Sequence, residues 1–156
     1  LMATQRKPVS VVKRNRLILT TDIGLALALL AAVLQFFNND LSAALWIGGG
    51  LLAAIGLVWL RASIGGADLP GAELDEYETR RHVEARDDGL RGAIILSSAL
   101  FAVAGCVALA ARFSPEVSSI DVALFFAKLL YCQMIWIPFA VARSLAGKIN
   151  RDELIA

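Results

Sequence analysis

The sequence is short of the side chains that carry most enzyme chemistry. It holds one histidine, His82, two cysteines, Cys106 and Cys132, and four prolines in 156 residues. A single histidine excludes a His-rich metal centre within one protomer. Both cysteines fall inside apolar stretches, without the spacing of a disulfide framework or a zinc site. A redox partnership between them lacks the close motif and activating surroundings that reactive thiols need. Net charge is almost absent at +1, so overall charge gives no indication of a nucleic-acid partner.

Apolar residues are abundant instead. The chain is 58% hydrophobic with a mean hydropathy of +0.65, above the roughly 45–50% apolar share of soluble domains. Four apolar runs, 17–37, 41–60, 92–111 and 120–142, account for the excess. Each has about the 20 residues needed to cross ~30 Å of hydrocarbon. Lipid cannot satisfy open backbone groups, so the runs are read as helices. The expected fold is all-α, an integral membrane four-helix bundle forming a single membrane domain over 1–156. Arg6, Lys7, Lys13, Arg14 and Arg16 before the first run suggest a signal peptide, but the run continues to Phe37 and another span follows at once. An uncleaved first span is the expectation.

The connections give the topology. Asn38, Asn39 and Asp40 make a minimal turn, so the first two spans must run antiparallel. Pro115 breaks the chain between spans three and four, and Ser119 is the predicted N-cap of the last helix. In the central loop, 61–91, residues 62–72 contain Gly65, Gly66, Pro70 and Gly71 and read as a flexible turn. Residues 73–90 read as a helix with polar side chains on nearly every side, including Glu76 with Arg80 and Asp87 with Arg91 at i,i+4. Joined to span three, this helix would reach about 58 Å, extending into the cytoplasm or bending near Gly89 and Gly92.

Lys and Arg resist translocation in short loops. Thirteen of the fifteen lie in the N-terminal tail, the central loop or the C-terminal segment; Arg112 lies on the opposite side, and Lys128 lies within the fourth span. This bias predicts that both termini and the central loop are cytoplasmic. Trp46 and Trp59, about 20 Å apart along a helix, fit the two interfaces of span two.

Small residues give the clearest packing signal. Ala44 with Gly48, Gly49 with Ala53, and Gly50 with Ala54 recur at four-residue spacing in span two, and Ser98, Ala102, Cys106 and Ala110 form a ridge on span three. Such ridges allow close helix approach, either within the bundle or to another chain. Gly48, Gly49 and Gly50 lie within a span and lack the strand, basic residue and helix start of a nucleotide loop.

Lys128 is the most unusual single residue, because an ionisable group within a span is costly. Its ammonium can snorkel to the outer interface or meet Asp121 two turns away. The functional alternative is contact with an ion, an anionic substrate or a partner subunit. Gln133 is expected to bond to Ser97 or Ser98, as polar side chains between spans commonly do. Asp22 reads as capping span one or pairing with Arg16, with proton carriage as the alternative. No further acid occurs in spans two or three. Pro138 is expected to shape the cytoplasmic half of span four.

Asp75, Glu78 and His82 share a helix side and could in principle hold a metal, but the segment is crowded with unrelated charges and a solvated helix is expected, with no metal or cofactor. The central loop, with eight acids and four arginines over 62–91, suits a basic partner or the chain's own tail. The tail itself reads as a membrane-surface segment attracted to anionic lipid.

Leu74, Asp75, Glu76, Tyr77, Glu78, Thr79, Arg80 and Arg81, leading through Ala85 into span three, resemble a pattern in small bacterial four-helix inner-membrane proteins with an Asp-Glu pair before the third span. Tyr77 stands where that pattern more often has arginine. The resemblance implies this architecture and a bacterial inner membrane, and brings no chemistry with it. The expected function is therefore non-catalytic: association, as an accessory or assembly subunit of a membrane complex or as a homo-oligomer, in contact with lipid and not nucleic acid. The alternative is a small transporter or channel placing Lys128, Gln133 and Asp22 in one hydrated cavity.

Overall fold

A computed structural model describes residues 9–64 and 75–155. They form four helices: α1 (Val9–Leu34), α2 (Asn39–Ile64), α3 (Glu76–Phe113) and α4 (Ser119–Ile155). All four are long and apolar enough to cross a membrane. The turn assigned to 62–72 and the start of the helix assigned to 73–90 lie largely outside the described residues.

The helices overrun the apolar limits read from sequence. α1 begins eight residues before Leu17, and α4 continues thirteen residues past Ala142. At ~1.5 Å per residue, α3 and α4 are each about 55 Å long, so both extend well beyond a bilayer's hydrocarbon. α3 is continuous through Gly89 and Gly92. Pro138 lies inside α4 without ending it.

Polar side chains fix the helix starts. Asn38 Oδ1 accepts the Leu41 N–H at 3.1 Å. Asp75 and Glu78 form a reciprocal capping box at the start of α3, with the Glu78 N–H donating to Asp75 Oδ1 at 2.7 Å. At α4 the cap is Ser118 and not Ser119: its Oγ accepts the Asp121 N–H at 3.1 Å. Ser119 already has helical geometry, so the cap falls one residue earlier.

The packing is more open than a symmetric bundle. α1 and α2 lie antiparallel and meet closely, α4 packs on both, and α3 packs along α4 with no comparable interface to α1 or α2. Gly24 and Gly49 make the α1/α2 approach possible. A Cβ at Gly24 would strike the backbone of Ala53, and one at Gly49 would lie 2.7 Å from Leu27 Cβ and 2.9 Å from the Gly24 carbonyl. Helix backbones come this near only where side chains are small.

The main core joins Leu17 and Leu25 of α1, Leu57 and Leu60 of α2, and Phe139 and Leu145 of α4. A smaller cluster of Ala32, Phe125 and Leu129 lies toward the short-loop end. The outer part of α3 stands apart. No residue in its most apolar 18-residue stretch is buried, whereas about a third of the corresponding stretch is buried in each other helix.

Candidate functional site

The best-built polar site lies near the short-loop end, where α1, α2 and α4 converge. Lys128 is 5% exposed and faces these helices instead of reaching the surface. Its Nζ donates to Gln35 Oε1 and, at 2.7 Å, to Ser42 Oγ. Ser42 in turn donates to the Ala31 carbonyl. Gln35 is 2% exposed, and its amide Nε2 donates to Asp121 Oδ1 at 2.9 Å and Asn39 Oδ1 at 3.0 Å. The snorkelling expectation is thus overturned, and the link between Lys128 and Asp121 runs through Gln35. The ammonium donates while the amide relays toward a carboxylate. The arrangement suits a buried polar tie, because each partner satisfies groups that would be expensive to leave unpaired.

Gln133 lies elsewhere, donating to Ser97 Oγ at 2.6 Å. This bond joins α4 to α3 at one end of an open, mostly apolar groove of about 370 Å³, also lined by Leu100, Phe101 and Phe126. Asp22 pairs with Arg143 of α4 at 3.0 Å and not with Arg16. The correction follows from packing: α1 runs antiparallel beside α4 and brings the guanidinium to the carboxylate. Lys128 and Arg143 are fifteen positions apart, about 22 Å along α4. Lys128, Gln133 and Asp22 therefore belong to three separate polar networks.

The small residues divide by direction. Gly49 and Ala53 face α1, whereas Gly48 is exposed and a Cβ there would meet nothing within 4 Å. Ala44 is exposed as well. Gly50 meets the Tyr131 ring, whose hydroxyl donates to the Gly50 carbonyl at 2.7 Å. On α3, Ser98, Ala102, Cys106 and Ala110 are all exposed. The expectation of contact within the bundle holds for Gly49 and Ala53 and fails for the α3 ridge, which points away from the other described helices.

At the opposite, charged end, α4 forms a spine between two other helix extensions. Arg14, only 9% exposed at its side chain, donates to Asn150 Oδ1 and Glu153 Oε1, each at 2.8 Å, and Ser10 Oγ donates to Glu153 Oε2 at 2.6 Å. Val11 beside them is buried. This part of the tail is thus held against α4, while Lys13 and Arg16 remain exposed and Arg6 and Lys7 lie outside the described residues. On the other side, Tyr77 Oη donates to Asp152 Oδ1 at 2.9 Å and Arg81 to Asp152 Oδ2 at 3.0 Å. Lys148 Nζ lies 3.5 Å from Glu84 and 3.6 Å from Asp88. Arg80 pairs with Glu84 at 3.3 Å, not with Glu76, while the expected Asp87–Arg91 pair forms at 3.2 Å.

These bonds shift the carboxyls. The Tyr77 hydroxyl and Arg81 hold Asp152 below its ordinary value of 3.8. Arg14 and Ser10 do the same to Glu153, whose ordinary value is 4.5. A carboxyl lowered on folding contributes stability above its unfolded pKa and loses that contribution as pH falls through its folded pKa. Tyr77 is raised from 10.0, chiefly by its bond to Asp152, so its contribution is present below 10 and lost as pH rises through the higher folded value. Protection from hydrogen exchange, taken relative to the intrinsic rate at each pH, is therefore expected to fall in 144–155 below about pH 4 and again above about pH 10, before the apolar helices respond. Uniform protection down to pH 2 would contradict these contacts.

Asp75 and Glu78 are occupied by the capping box, and His82 faces a cavity beside α4. No group of three metal-ligating side chains occurs among the described residues. Cys106 is exposed, Cys132 is buried, and both are free thiols. Gln35, Ser42, Asn150 and Asp152 were not singled out by sequence reasoning. Gln35 and Ser42 stand near the ends of apolar runs, whereas Asn150 and Asp152, eight and ten residues past Ala142, carried no such signal.

No protein-family model, curated protein or solved structure matches this chain.

Proposed function

We propose that this chain is a polytopic protein of a bacterial inner membrane that acts by association, as an accessory or assembly subunit or as a homo-oligomer, through the outer face of α3. The observation carrying this reading is the exposed ridge of Ser98, Ala102, Cys106 and Ala110 on a helix whose one substantial interface among the described residues is with α4. Bulky lipid-facing residues flank it, including Phe101, 81% exposed, and Ile95, 71% exposed. Lipid alone does not require aligned small residues, whereas a second helix does, because they permit backbone contact. The charged end lies in the cytoplasm by the bias of Lys and Arg. The resemblance around Asp75 and Glu76 supports the bacterial inner membrane.

Cys106 lies on the proposed interface and provides its test. Copper-phenanthroline oxidation in native membranes should produce a disulfide-linked adduct of the 16.7 kDa chain that reductant reverses and Cys106→Ser abolishes. If the partner lacks an apposed thiol, a lipid-soluble photocrosslinker at position 102 should capture it. Neither adduct forming, with the chain demonstrably in the membrane, would overturn association through this face.

A further inference from the structure

A cavity of about 240 Å³ lies where α2, α3 and α4 meet near the charged end. Its described lining residues include Arg61, which has a partner of its own, His82 and Arg86, with no carboxylate among them, and the rest are apolar, including Pro138, Val141 and Leu145. His82 is 6% exposed, borders this space and has no hydrogen bond or ion pair among the described residues. Arg86 is exposed and likewise has no ion pair among the described residues. The imidazole nitrogens are not among the buried atoms left without a partner, so they keep access to the cavity that the ring borders. Beside a free guanidinium, the ring makes a site for an anion that supplies several acceptor oxygens.

The cavity's position narrows the choice of anion. Arg61 closes the apolar run of α2, and Arg143 follows that of α4 one residue beyond Ala142. The site therefore lies where hydrocarbon gives way to headgroups, a level at which basic pockets between helices bind lipid phosphates. Among the described residues α2 and α3 share no substantial interface, so the apolar surface of α4 between them is left for acyl chains. We infer that this cavity binds the phosphate of an anionic phospholipid, with His82 and Arg86 on the headgroup and the acyl chains along α4. This inference rests on the membrane reading above.

The full chain, purified in mild detergent, would be offered dioleoyl phosphatidylglycerol, dioleoyl phosphatidylcholine or inorganic phosphate and examined by native mass spectrometry. One phosphatidylglycerol should be retained in preference to phosphatidylcholine. Arg86→Gln should weaken retention at least about fivefold, the effect of one arginine near an anionic headgroup. Arg91→Gln should leave it within about twofold, because that arginine is already paired with Asp87. His82→Asn should also weaken it, and Arg86→Gln keeps the test valid if the buried variant folds poorly. Equal retention of the two lipids, or equal loss in Arg86→Gln and Arg91→Gln, would overturn the inference. Displacement by millimolar inorganic phosphate would assign the site to a soluble anion and overturn the lipid. A chain that alkaline carbonate strips from membranes fails the membrane reading itself, whereas one that resists carbonate and binds no phosphatidylglycerol fails only this inference.

Discussion

Replacing Lys128 with methionine is expected to lower thermal stability in detergent by about 1–3 kcal/mol, the usual cost of leaving a buried polar group without its partner. Methionine keeps the length of the side chain and removes the ammonium. Gln35 Oε1 then loses the donation from Lys128, while its amide still bonds to Asp121 and Asn39. Ser42 keeps its bond to the Ala31 carbonyl. The loss should therefore be partial, loosening the contacts among α1, α2 and α4 at one end. Lys128→Met and Gln35→Leu remove the same bond, so the double variant should cost less than the sum of the two by ~0.5 kcal/mol or more. Strict additivity, or unchanged stability in Lys128→Met, would show that the ammonium is not the tie and would revive its reading as an ion or substrate contact.

The second large effect concerns assembly. Ala102→Phe is expected to leave the isolated chain as stable as before, because Ala102 is exposed on α3. Where a partner helix lies on the ridge, the added ring forces the backbones apart. A contact of this kind depends on close packing, so association should weaken tenfold or more, a change of about 1.4 kcal/mol. Ala43→Phe adds the same volume at an exposed position on α2 and should leave assembly unchanged. Crosslinking yields from native membranes measure both. Equal yields for the two variants would remove α3 as the interface.

The four helices were legible because an apolar run of about 20 residues has few alternatives in lipid. Their ends were less legible. α1 and α4 continue past the apolar residues because Arg14 meets Asn150 and Glu153, residues more than 130 positions away. Local periodicity carries no trace of such a pair. Lys128 stood out as a charge within a span, but its partners Gln35 and Ser42 lie 93 and 86 positions earlier and are ordinary residues near helix ends. Gln133 with Ser97 was easier, since few other polar groups lie at that depth.

Small-residue spacing shows the limit most clearly. Gly49 with Ala53 and Ala44 with Gly48 have the same signature, yet the first pair meets α1 and the second is exposed. Spacing defines a ridge along a helix. Which neighbour covers it depends on how the helices are arranged, and among the described helices α3 packs substantially only on α4. The ridge on α3 was thus visible in sequence, while its outward direction was not. His82 shows the same distinction, since its uniqueness was evident but its place in a cavity shared with Arg61 and Arg86 was not.

The most direct measurement is the mass and composition of the particle extracted from native membranes by mild detergent after crosslinking at position 106. Association through α3 requires a particle heavier than a single 16.7 kDa chain, containing a second copy or another membrane subunit, and reduced to the monomer by Ala102→Phe. A uniform monomer from both the original chain and the variant would contradict it.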